Sequence, residues 1–247
     1  MTAPMLPPPA SRRLGVPRIK SLAWHQWQAA RLSLSALTGQ AGTFTRASTA
    51  TFTDSAGVTV TAGHSMPRWE SRTWQGAPAI GLRMATDDLA WPAPWTLATC
   101  TVLVEAIALG TAQTSGQGLL YAGLDAGTGN RLVIRGTGTT LAVDLVIGAN
   151  TSTATLPVAV ANGAAVQLAV EVDDTGTTQR VRIGGTVNGS SAGYSAFGTA
   201  IARGTLPAGA NLRLNRVGNA GLQGAAWFRR VSVVPGLLTV DDALSRL

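Results

Sequence analysis

The chain has 247 residues, 45% of them hydrophobic and only 13% charged, with a formal net charge of +7. That length and apolar share suffice for one large β domain, or a domain with an arm, and argue against long charged helices. The positive balance comes from 18 Arg and a single Lys20 scattered along the chain, without the cluster that a nucleic-acid footprint needs.

Residues 1–20, "MTAPMLPPPASRRLGVPRIK", carry five prolines and read as an extended, polyproline-like arm. This start lacks the apolar core of a signal peptide, and no apolar run is long enough to span a bilayer. The expectation is therefore a chain made in the cytoplasm that leaves it, if at all, without an export signal, and without membrane insertion. "SLAWHQWQAARLSLSALTG" follows as the best helix candidate, capped by Ser21 and ended by Gly39. Trp24 and Trp27 on it suggest an anchor against another surface. Then "FTRASTATFTDSAGVTVT" alternates Phe44, Arg46, Ser48, Ala50 and Phe52 with threonines, breaks at "DSAG", and resumes its alternation. This reads as a β-hairpin whose turn is made by Asp54 and Gly57.

From residue 97 onward apolar runs recur at short intervals between Gly-rich turns: "LATCTVLVEAIAL", "GLLYAG", "RLVIRG", "LAVDLVIG", "TATLPVAV", "AAVQLAVEVD", "QRVRIGG", "NLRLNRVG" and "AAWFRRVSVVPG". Many short strands with turn signals between them predict an all-β antiparallel sandwich. "DAGTGN", "DDTGTTQ" and "NGSSAG" supply hairpin turns. "TVDDALSRL" closes the chain as a short helix, with Thr239 and Asp242 spaced as in a capping box.

Two segments resemble known proteins. "FTRASTATFTDSAGVTVTAGHSMPRW" is similar to a motif of tailed-bacteriophage virion proteins, in which an F-x-R-x-S-x-A strand, a D-x-x-G turn and a Pro-Arg precede a lectin-like domain. Phe44, Arg46, Ser48, Ala50, Asp54, Gly57, Pro67 and Arg68 match it. "GLRMATDDLAW" departs from that pattern, with Met84 where an acidic residue is common and Asp88 where Asn is common. The C-terminal two-thirds resembles a concanavalin A-like, laminin-G-type jelly roll, through the hairpin ending at Asn188-Gly189 and the closing strands and helix. The resemblance implies a structural virion component: a head or tail fibre, or a capsid decoration subunit.

Enzymatic readings find little footing. A glycosidase needs two carboxylates flanking the scissile bond. Glu171 and Asp173 are the one i, i+2 pair, and their position before a Thr-Gly turn favours hairpin chemistry instead. Asp87-Asp88 and Asp241-Asp242 read as loop and helix-start residues. His25 and His64 lack companions at metal-ligand spacing, and no G-x-S-x-G elbow occurs. Asp125 and Asn130 offer oxygen ligands for calcium, but a turn explains them better. Cys100 reads as a small buried hydrophobe. No cofactor or metal is expected. For glycan binding, the aromatics at hand are Trp69, Trp74, Trp91 and Trp95, with packing between hairpin and sandwich as the competing role.

These readings combine into one expectation. Residues 1–40 form an attachment arm and helix, 41–96 a β-hairpin and connecting segment, and 97–247 a lectin-like sandwich with a C-terminal helix. Arg46, Asp54, Trp24 and Trp27 are the assembly residues. The partners are other virion proteins, further copies of the chain and a host surface glycan, with no nucleic acid. The location is the virion, assembled in the host cytoplasm. The alternatives are a carbohydrate-binding tail adhesin and, behind it, a polysaccharide-degrading enzyme.

Overall fold

A computed structural model describes residues 96–107, 117–124, 127–161, 163–214 and 226–245, together with nine short strands between residues 34 and 92. Those strands are β1 (Leu34–Ser35), β2 (Ala41–Gly42), β3 (Thr45–Arg46), β4 (Thr51–Thr53), β5 (Thr59–His64), β6 (Thr73–Trp74), β7 (Ala77–Pro78), β8 (Ile80–Leu82) and β9 (Asp87–Pro92). Longer strands follow: β10 (Cys100–Ile107), β11 (Gln117–Gly123), β12 (Arg131–Thr137), β13 (Thr140–Ile147), β14 (Asn150–Thr155), β15 (Val166–Asp174) and β16 (Thr178–Val187). β17 (Ser190–Tyr194), β18 (Ile201–Ala202), β19 (Asn211–Leu214), β20 (Ala226–Pro235) and the helix α1 (Val240–Ser245) complete the chain.

Two antiparallel sheets dominate. One is seven-stranded in the order β17-β16-β15-β10-β20-β8, with β18 also on β16. The other is nine-stranded, β14-β13-β12-β11-β19-β9-β5-β4-β3. Their inner faces close one apolar core. Val102, Val104, Val170 and Ile183 from the first sheet meet Leu132, Ile134, Val143 and Leu145 from the second, all fully buried. The alternation of such residues with polar ones is what makes each run a strand with one buried face. Cys100 lies inside this core, as the sequence suggested, and burial pushes its thiol up to about 12.

The expected strands past residue 97 are all present, with one shortened. "TATLPVAV" yields β14 only up to Thr155, because Pro157 has no N–H to give a ladder. The expected hairpin is present too, with Phe52 opposite Val60. It is more folded than the sequence implied: β3 and β4 run antiparallel, Arg46 opposite Phe52, so residues 44–53 are not one strand. Part of the expected helix over 21–39 is strand instead. Leu34–Ser35 pairs with Ala41–Gly42, in keeping with the Leu-Ser alternation of "RLSLSAL". The rest of that helix and the proline-rich arm lie outside the described residues. β5, β8 and β9 precede residue 97 yet pair into the two large sheets.

The terminal helix starts as its capping-box spacing predicts. Asp242 N–H donates to Thr239 Oγ1 at 3.1 Å, and the Thr239 hydroxyl donates to the Asp242 carboxylate at 2.8 Å. No described helix is long and apolar enough to cross a membrane.

Candidate functional site

The outer face of the seven-stranded sheet gathers the charged and aromatic side chains. The β15–β16 hairpin sets its geometry: Asp173 lies opposite Arg180 and Glu171 opposite Arg182. Because side chains alternate, these four project from the face away from the main core. Arg180 Nε donates to Asp173 at 2.8 Å, and Arg182 Nε donates to Glu171. Both guanidinium groups also stack on Phe197, at 4.3 and 4.5 Å from the ring centroid, and Arg182 stacks on Tyr194 at 4.2 Å. Two arginines therefore clamp the 194–197 segment, which begins at the last residue of β17, onto the sheet.

The C-terminal segment docks beside this cluster. Leu238 N–H donates to Glu171 Oε1 at 3.0 Å, while the Tyr194 hydroxyl donates to the Leu238 carbonyl at 3.2 Å. Beneath α1, Ala243 packs with Leu103 and Ala169 in a small apolar cluster separate from the main core. Burial, and then the neighbouring Glu171 charge, hold the Tyr194 phenol well above its ordinary value. Further along the same face Thr186, Gln167 and Glu105 stand in a row: the Thr186 hydroxyl donates to Gln167 Oε1, and Gln167 Nε2 donates to Glu105 Oε1, each at 3.1 Å.

The turn that carries the hairpin is braced separately. Asp174 accepts from Gly176 N–H at 2.9 Å and from Arg203 Nε at 2.8 Å, and Gly176 adopts φ +92°. Burial of Asp174 would raise its carboxyl, but the bonds from Arg203 and the Gly176 amide prevail and hold it below the ordinary range. On the nine-stranded sheet, Asp144 accepts from Arg135 Nε and from the Thr153 hydroxyl.

These contacts decide what the sequence-derived candidates do. Glu171 and Asp173, the single spaced carboxylate pair, are each engaged by an arginine. Asn130, half of the weighed calcium site, spends its amide on Thr205 and Gly148. Asp125 lies outside the described residues, and among those described no group of three His, Cys, Asp or Glu could hold a metal ion. Of the glycan-binding candidates, Trp74 falls in β6 and Trp91 in β9, which belong to different sheets. Trp69 and Trp95 lie outside the described residues, as do Trp24, Trp27 and Asp54; Arg46 is placed in β3. Sequence reasoning missed Arg180, Arg182, Tyr194 and Phe197 as a unit. The available signal was the i, i+2 arginines in "QRVR" facing the i, i+2 acids across a Thr-Gly turn.

No family model matches the sequence, and no curated protein matches it. Solved structures do match the fold. The receptor-binding domain of botulinum neurotoxin type G superposes with a TM-score of 0.56 at 11% identity, over 88% of this chain and 50% of that one. The chain carries an antiparallel jelly-roll β-sandwich. The binding domain of serotype D gives 0.51 at 8% identity, over 89% of this chain and 51% of that one. The Ruminococcus gnavus IT-sialidase CBM40 bound to α2,3 sialyllactose gives 0.45 at 13% identity, over 76% and 97%. This jelly roll spans about half the length of the two toxin chains. At these identities the likeness is one of fold.

Proposed function

We propose that the chain is a non-enzymatic display subunit of a bacteriophage virion, a head or tail appendage. It attaches through residues 1–40, works in several symmetric copies, and turns the jelly roll outward. The observation that carries this reading is the state of the outer-face carboxylates. Glycoside hydrolysis needs one acid free to give a proton and one base or nucleophile free to act. Glu171 is fully buried under Arg182 and the Leu238 amide, and Asp173 is paired with Arg180. The face is built to hold chain segments together. The phage assignment draws its support from the F-x-R-x-S-x-A and D-x-x-G residues of the hairpin.

Antibodies against the sandwich, imaged with gold on intact particles, test this reading: discrete label at a head or tail position is expected, and unlabelled particles overturn it. Release of reducing sugar from host polysaccharide, abolished in Glu171→Gln, would instead establish an enzyme.

A second reading is a host-glycan adhesin. The half-exposed Arg180, beside Asp173 and Phe197, supplies donors, acceptors and a ring edge of the kinds sugars use. The shared fold with a receptor-binding domain is consistent with it. Specific signals on a glycan array, weakened in Arg180→Ala, are the expected result for this role, and a blank array removes it.

A further inference from the structure

Each arginine of the outer-face cluster is committed at one nitrogen and open at the others. Arg180 Nε donates to Asp173, and Arg182 Nε donates to Glu171. Among the described residues, no acceptor is bonded to the Nη groups of either arginine. Exposure divides in the same way. The Arg180 and Arg182 side chains are 42% and 27% exposed, whereas those of Asp173 and Glu171 are 16% and 0% exposed. The carboxylates are withdrawn from water and the guanidinium groups reach it. The surface therefore offers hydrogen-bond donors, although the four formal charges cancel.

These donors are held in place. Arg180 and Arg182 stand two residues apart on β16, hence on one face and about 7 Å apart along the strand. β16 itself lies between β15 and β17, so the pair is carried by a ladder rather than a loop. One ring, Phe197, stacks on both guanidinium groups, and Tyr194 stacks on Arg182 as well. Stacking and the Nε bonds fix the plane of each fork before a ligand arrives, which lowers the ordering cost of binding.

We propose that Arg180 and Arg182 bind the carboxylate of a sugar acid in a host surface polysaccharide, through their uncommitted Nη groups. The assignment rests on the host-glycan reading of this face and names the class of glycan. A planar carboxylate matches a guanidinium fork with two parallel bonds, as a neutral hydroxyl does not. Bonds between two charged groups are roughly twice as strong as neutral ones. The half-buried Phe197 lies beside the forks as an apolar surface for the sugar ring.

A glycan array probed with the full chain tests it, carrying neutral, sulfated and uronic-acid oligosaccharides, each uronic acid beside its methyl ester. Binding to the acids is expected, at least about tenfold tighter than to their esters. Arg180→Gln should weaken that binding about tenfold, and Arg180→Lys should recover part of it. Arg131→Gln, on the other sheet, removes the same charge and should leave binding unchanged. Arg182 is tested together with its buried partner, as Glu171→Gln with Arg182→Gln, so that no charge is stranded; this pair should also lose binding. Near-ultraviolet circular dichroism checks each fold, and should the double variant not fold, the Arg180 series decides alone. Equal signals on acids and esters overturn the proposal, as does binding confined to sulfated sugars. Arg180→Gln and Arg131→Gln weakening the acids alike would reveal general attraction to a basic protein and overturn it too. Signals on neutral sugars alone remove the sugar-acid class and keep the adhesin reading, whereas a blank array removes both.

Discussion

Glu171 and Arg182 face each other across the β15–β16 hairpin at 2.5 Å, the carboxylate fully buried and the guanidinium partly exposed. A buried charge is tolerable only while its partner stays, because desolvation costs several kcal/mol when nothing compensates it. Arg182→Ala should therefore destabilise the fold by about 3–5 kcal/mol. Arg182→Lys should recover only part, since an ammonium cannot reproduce the planar fork stacked on Tyr194 and Phe197. Urea titrations followed by tryptophan fluorescence measure both. A loss below about 1 kcal/mol for the alanine variant would show that water reaches Glu171.

Two glycines separate crowding from backbone strain. A Cβ on Gly198 would meet the Thr153 carbonyl oxygen at 2.4 Å and Ser152 Oγ at 2.8 Å. Gly198→Ala should force β14 away from the segment that covers its edge and cost about 1–3 kcal/mol. Gly176 has open space around it but φ +92°, so Gly176→Ala should cost about 1 kcal/mol from conformation alone. Equal losses in thermal unfolding would contradict this separation.

Asp174 sets an acid limit. Its folded-state carboxyl lies below the ordinary value, so its stabilisation is fully present above that value and fades as pH falls through the folded one. Arg203→Gln removes the main cause. The variant should be less stable than wild type at neutral pH, and the difference should shrink as the solution is acidified below about pH 4. Paired melts across that range read it directly, and a constant difference would exclude the linkage.

Tyr194 sets an alkaline one. Its phenol is raised, so the folded state holds the proton more tightly than the unfolded chain does. The contribution is complete below the ordinary value of about 10 and is lost as pH climbs from there towards the folded value. Tyr194→Phe should be weaker at neutral pH, having lost the bond to Leu238, yet flatter above pH ~10. An unchanged alkaline slope would place the titration elsewhere.

The strand-and-turn pattern was legible because its causes are local. Alternating apolar residues marked the ladder strands, and Asn188-Gly189 sits at φ +50° and +81° as its turn demands. Thr239 announced its helix. The candidate site was less legible, although half of it was encoded in one hairpin. Folding "EVDDTGTTQRVR" about its Thr-Gly turn brings Glu171 to Arg182 and Asp173 to Arg180. Tyr194 and Phe197 are returned to that face by a later reversal whose register depends on the Gly185 bulge, which no periodicity reveals. Leu238, from the segment before α1, and Glu105, from β10, arrive from far away in sequence. The helix expectation failed at Leu34–Ser35 because a two-residue alternation was read as an imperfect helical period.

β20 sits inside its sheet, flanked by β10 and β8, rather than at a border. The Thr101 hydroxyl bonds the carbonyl of Gly236, 135 residues on. A ribosome must therefore deliver that whole interval before β10 gains its second neighbour, and until then the nascent sheet carries a raw apolar border. Closure becomes a late, concerted event in biosynthesis. A polypeptide stalled before residue 226 would be a client for chaperones rather than a smaller working module.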